Sequence, residues 1–122
     1  MLLQSTSMAD VTTGRLTLDI ERAPDTITVR CGGQLVLGVT GFLYENVQKL
    51  IPETKHIVLD LTNLTDMDSM GIGTLVRVYV SAKASGCKLE LINLGKRIRA
   101  LLGMTHLLEI LAAAGEQNVR IP

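Results

Sequence analysis

The feature that most limits what this chain can become is the run Ile57-Val58-Leu59, followed by Asp60-Leu61. The run is short, apolar and rich in β-branched residues, and it does not alternate. A strand built from it therefore presents hydrophobic side chains on both faces, as strands in the middle of a parallel sheet do. Such a strand needs helices to cover it, and the flanking sequence supplies them. Upstream, residues 40–50 place Leu43, Val47 and Leu50 at helical spacing, with Pro52 beyond as a stop. Downstream, the helical period returns at Ser69 with Ile72, Leu75, Val76 and Tyr79, and Gly86 follows as a C-terminal cap.

The remainder fits around that centre. Leu16, Leu18 and Ile20 alternate with Thr17, Asp19 and Glu21. After the turn at Ala23-Pro24-Asp25-Thr26, Ile27, Val29 and Cys31 alternate with Thr28 and Arg30. Period two is the mark of strands covered on one face, and the turn between them predicts an antiparallel hairpin. Residues 88–92 read as another strand. Ile98, Leu101 and Leu102 mark a short helix, and residues 107–114 a last one. The order strand, strand, helix, strand, helix, strand, helix, helix predicts an α/β fold, a small mixed β-sheet flanked by helices and joined by right-handed crossovers. With 47% of its 122 residues hydrophobic, the chain has material for one core. Residues 15–122 are expected to form one domain, preceded by a loosely ordered segment over 1–14.

Several function classes are disfavoured. There is no Trp, and Phe42, Tyr44 and Tyr79 are the only aromatics, too few for a base-stacking platform. The formal net charge is zero, so no overall field draws in nucleic acid. Locally, residues 1–68 carry nine acidic and five basic side chains, whereas residues 69–104 carry six basic and one acidic. Cys31 and Cys87 lack metal-site or redox spacing and read as buried thiols, and His56 and His106 are isolated, at surface or cap positions. No cofactor or metal is expected. Neither a cationic leader with an apolar stretch nor a bilayer-length run occurs, which predicts a cytoplasmic protein without membrane insertion.

The chemistry concentrates in Asp66-Met67-Asp68-Ser69-Met70-Gly71-Ile72-Gly73. Residues 62–68 read as a polar loop on the rim of strand C-terminal ends, where open α/β sheets carry their sites. Asp68 is a natural N-cap, and Ser69 falls in the first helical turn, where backbone N–H groups and the helix dipole favour an anion. Gly71 and Gly73 lack Cβ bulk, which allows another molecule's backbone to approach. Asp60 and Asp66 are secondary candidates for a carboxylate near the site, although an Asp at a strand end, as Asp60 is, is as often tied to loop amides. Taken alone, Asp68-Ser69 reads first as an ordinary helix cap, worth about 0.5–2 kcal/mol. A serine nucleophile would need a base, and neither an adjacent histidine motif nor a GxSxG elbow is present, so the chain is not expected to be an enzyme.

The stretch IVLDLTNLTDMDSMGIG, residues 57–73, resembles the anti-sigma factor antagonist pattern of the STAS family: a hydrophobic strand with Asp, a loop, then Asp-Ser-Ser/Thr-Gly-hydrophobic-Gly. NLGKRIRALLGMTHLL, residues 93–108, is similar to the family's closing helix pattern. Met70 stands where the pattern has Ser or Thr, Val36 where Gly-Glu-Leu-Asp ends in Asp, and Thr105-His106-Leu107 where it has Thr-Gly-Leu. The resemblance implies a mixed sheet flanked by helices. It also implies that Ser69 is phosphorylated by a partner anti-sigma factor that is itself a kinase, that the unphosphorylated form binds this partner, and that a phosphatase resets the switch. The face around Asp68, Ser69, Met70, Gly71 and Gly73 would then meet the partner. STAS-like domains also serve as non-catalytic scaffold subunits of signalling assemblies or membrane transport complexes, which is the alternative.

Overall fold

A computed structural model describes residues 9–104. Five strands form one sheet in chain order: β1 (Ala9–Thr13), β2 (Leu16–Arg22), β3 (Ile27–Leu35), β4 (His56–Met67) and β5 (Lys88–Ile92). β1–β2 and β2–β3 pair antiparallel, while β3–β4 and β4–β5 pair in parallel. Helix α1 (Thr40–Leu50), extended by a 3-10 turn over Ile51–Glu53, connects β3 to β4. Helix α2 (Ser69–Ala84) connects β4 to β5, and α3 (Lys96–Met104) follows. Successive parallel strands added in the same direction, joined by right-handed crossovers, put α1 and α2 on the same face of the sheet. The two helices do pack against each other there.

The mixed sheet flanked by helices is as the sequence predicts, and the alternations explain it. Leu16, Leu18 and Ile20 of β2 and Ile27, Val29 and Cys31 of β3 are all buried, facing Leu43, Val47 and Leu50 in the same core. In β4, Ile57, Val58 and Leu59 are buried in succession, as a strand covered on both faces must be. Cys31 and Cys87 are buried and free. Burial, with the charge of Asp60 second, pushes the Cys31 thiol up to about 12, which leaves it inert as a nucleophile.

Three expectations are corrected. Ala9–Thr13, within the segment expected to be loosely ordered, is an edge strand in register with β2 from Ala9↔Ile20 to Thr13↔Leu16. The β-branched Val11-Thr12-Thr13 suit a strand, and Gly14, with φ 52, turns the chain back. Next, the polar stretch read as a loop over 62–68 is strand as far as Met67. It finds a partner because β3 does not stop at Gly32-Gly33. After register shifts at Arg30/Gly32 and Gly33/Gln34, the pairing continues to Leu35↔Met67. Gly33 sits at the second shift with φ 90, and a Cβ there would lie 2.0 Å from the Arg15 carbonyl oxygen, so only glycine fits the bulge. Finally, the buried face of α2 holds Leu75 and Tyr79 as expected but is completed by Thr74, Val78 and Ala82, with Ile72 and Val76 only half-buried. The closing helix over 107–114, Thr105-His106-Leu107 and residues 1–8 lie outside the described residues.

Candidate functional site

The end of β4, the start of α2 and the segment leaving β3 meet at one point. Asp68 is the N-cap of α2 in extended conformation, and its Oδ1 accepts from the Gly71 N–H at 3.0 Å. Its Oδ2 accepts from the Leu37 N–H at 2.9 Å, and the Asp68 N–H donates to the Leu35 carbonyl at 3.4 Å. One side chain thus caps the helix and ties the β3–α1 connection to it. Gly71 makes the approach possible: a Cβ there would stand 2.1 Å from the Leu35 oxygen, so α2 rests directly on the backbone that ends β3. At Gly71 the close approach expected of another molecule's backbone is made by the chain's own Leu35. At Gly73 nothing lies within 4 Å of a built Cβ, and that position is open to solvent.

Ser69 is the first residue of α2 and is exposed, beside Met70 at 50% exposure. The Asp68 cap already takes the Gly71 N–H, so what the helix end offers an anion on Ser69 Oγ is mainly the positive end of its dipole.

Asp66 also belongs to this cluster. Its Oδ1 accepts from the Met67 N–H at 2.8 Å and from Arg97 Nε at 3.0 Å, which brings the basic start of α3 to the site. Lys96 and Arg99 turn instead towards an open pocket of about 470 Å3 lined also by Thr62 and Asn93. Asp60 does not join Ser69. It lies six residues before Asp66 on β4, about 20 Å of extended chain away. Its Oδ1 accepts from the Thr62 amide and hydroxyl and, at 3.1 Å, from Asn93 Nδ2. Asn93 adopts φ 59, a left-handed turn conformation that asparagine tolerates. Asp60 therefore pins the turn after β5. Nor is His56 a free surface side chain: its Nε2 lies 2.9 Å from Oε1 of the buried Glu90. His106 lies outside the described residues. Among the described residues, no group of three or more His, Cys, Asp or Glu side chains could hold a metal ion.

Two participants are illegible from the sequence. Arg97 belongs to a basic cluster, but only the fold shows it paired with Asp66. Leu37 carries no motif, yet it is 69% exposed and its amide is held by the cap.

The carboxyls share one electrostatic direction. The Leu37 amide above all, helped by the Gly71 amide, holds Asp68 below the usual carboxylate range against the opposing cost of burial. The Met67 amide and Arg97 do the same for Asp66. At Asp60, burial pulls upward, but the Thr62 and Asn93 bonds outweigh it and the result is also lowered. A carboxyl whose pKa is lower folded than unfolded contributes stability above the unfolded value, near 4, and loses it as pH falls through the folded value. Stability to urea should therefore be level above about pH 5 and decline below about pH 4. Asp68→Asn keeps a capping oxygen but cannot titrate, so its acid limb should be shallower. An acid limb superimposable on that of wild type would contradict the role given to Asp68.

Comparison with known proteins settles the family. The STAS domain model matches residues 17–120, nearly the whole chain. The chain belongs to the STAS domain family. Among curated relatives, the anti-sigma-B factor antagonist of Bacillus subtilis (strain 168) is 26% identical over 96 residues, which cover 79% of this chain and 88% of that protein. The anti-sigma factor antagonist SpoIIAA in its unphosphorylated form superposes with a TM-score of 0.64 at 18% identity, covering 80% of this chain and 96% of that one. A sulfate transporter family protein from Wolinella succinogenes also gives 0.64, at 22% identity over 80% of this chain and 77% of that one. These superpositions establish the shared fold. Among the described residues, no helix is long and apolar enough to cross a membrane.

Proposed function

We propose that this STAS protein is an anti-sigma factor antagonist of the cytoplasm, which binds a kinase-type anti-sigma factor and is switched by phosphorylation of Ser69. The observation that carries the reading is the exposed Ser69 at the N-terminus of α2, behind a cap that also holds Leu37. A hydroxyl so placed is reachable by a kinase, and a phosphate on it is stabilised by the helix end without unfolding. Support comes from the curated relative, an anti-sigma-B factor antagonist, and from a structural neighbour known in both unphosphorylated and phosphorylated forms. The protein acts by binding, without catalysis of its own, and a phosphatase restores the active form.

In the transfer itself, the γ-phosphoryl of ATP would pass to Ser69 Oγ, with ADP and the hydroxyl proton leaving. Incubation with ATP and the purified kinase-type anti-sigma factors of the source organism should place one phosphate on Ser69, located by peptide mass spectrometry. Ser69→Ala should take up none. Phosphate on another residue, or none on wild type, would refute the switch. That outcome would leave the scaffold reading, which Met70 and Val36 favour because both replace polar residues of the antagonist pattern.

A further inference from the structure

Resting on that reading, we infer that the partner is held through an apolar contact formed by Leu37 and Met70, on either side of the Asp68–Ser69 step, and that it presents an apolar recess there rather than a basic patch. The acidic side chains near Ser69 are already engaged within the protein. Asp68 gives its two oxygens to the Gly71 and Leu37 amides, and Asp66 accepts from the Met67 amide and Arg97. A basic partner surface would have to break these bonds to gain its own, and exchanging one bonded charge pair for another yields little net affinity.

What the site does offer outward is hydrophobic. Three large apolar side chains are exposed among the described residues, and two of them belong to this site: Met70, at 50%, follows Ser69, and Leu37, at 69%, has its amide on the Asp68 side chain. The third, Val80, lies two to three turns along α2. Leu37 is not exposed through looseness, since the cap fixes its backbone. Gly38 follows it with φ 98 and open space around it, and Gly73 is open one turn after Met70, so neither blocks access to the pair. The cap thus presents one anchor from the β3–α1 connection, and the helix presents the other. Met70 also stands where the antagonist pattern carries Ser or Thr, so this contact distinguishes the chain from the pattern it resembles.

The test is titration calorimetry of unphosphorylated wild type, Leu37→Asn and Met70→Gln against the purified anti-sigma factors of the source organism, at 50 and 500 mM NaCl. Both substitutions preserve charge at exposed positions, and unchanged melting curves verify the fold. Each variant should bind roughly tenfold more weakly, as loss of an apolar anchor does. Wild-type affinity should change less than about threefold across the salt range, because screening acts on charges. Variants that bind like wild type, or a tenfold or greater loss with salt, would overturn the apolar contact while leaving the antagonist reading intact. A wild-type dimer in sedimentation that Leu37→Asn dissolves would assign the pair to a second copy of this chain instead. Wild type that binds none of the anti-sigma factors would remove the antagonist reading, and this inference with it.

Discussion

Gly71→Ala is expected to destabilise the fold by about 2 kcal/mol or more, even though alanine is the better helix former. Two effects compete. Alanine in place of glycine within a helix gains up to about 1 kcal/mol of propensity. Against that, the new methyl would stand 2.1 Å from the Leu35 oxygen and 3.1 Å from Leu35 Cγ. A backbone carbonyl that already accepts from the Asp68 N–H, at the end of a paired strand, cannot turn aside as a flexible side chain would. The first turn of α2 must therefore lift from the sheet, at the upper end of the roughly 1–3 kcal/mol that overpacking costs. Lifting it also stretches the bond from Asp68 to the Leu37 amide, so site and stability fail together. Gly73→Ala is the internal control, because nothing lies within 4 Å of its Cβ and propensity alone should act, leaving the protein as stable as wild type or slightly more so. Urea unfolding of the two variants makes the comparison. A Gly71→Ala protein as stable as wild type would show that α2 does not rest on the end of β3.

Those glycines mark the limit of what the sequence reveals. They occupy the same motif two residues apart, and no pattern in the chain says that one meets a carbonyl and the other meets solvent. Local periodicity was enough for β2, β3 as far as Cys31, and α1, where each buried side chain recurs at the spacing of its own element. It was enough, too, for the central strand, because Ile57-Val58-Leu59 cannot be solvated on either face. It failed where a partner distant in sequence decides the outcome. The polar residues after Asp60 remain in a strand because Gly33, at φ 90, carries β3 past the bulge to meet them. The buried stripe of α2 rotates to include Val78 and Ala82, residues chosen by the sheet and by α1 rather than by the helical pattern.

The site divides the same way. Asp68 and Ser69 were legible because an N-cap is local chemistry, and the structure places both as the sequence predicts. Asp60 was open to two readings, a carboxylate near the site or one tied to loop amides, and its bonds to Thr62 and Asn93 commit it to a turn. Leu37 was invisible, since Leu35-Val36-Leu37 is an apolar run in which only the fold buries Leu35 and turns Leu37 outward.

The largest functional effect should come from phosphate on Ser69. It adds about −1.5 to −2 charges at pH 7. It does so between Leu37 and Met70, close to Asp66 and Asp68, on the proposed contact surface. Binding would then require a partner to strip water from a dianion at an apolar contact already flanked by carboxylates, whereas the free protein keeps that dianion hydrated at the helix end. A penalty of about 2.7 kcal/mol, well within the cost of unfavourable charge at an interface, corresponds to about a hundredfold in affinity. The most direct measurement is titration calorimetry of wild type, Ser69→Ala and Ser69-phosphorylated protein against the purified kinase-type anti-sigma factor, with melting curves alongside. The account predicts that wild type and Ser69→Ala bind within a fewfold of each other, that the phosphorylated form binds about a hundredfold more weakly, and that all three melt as folded proteins. Equal affinities for the three forms would contradict it.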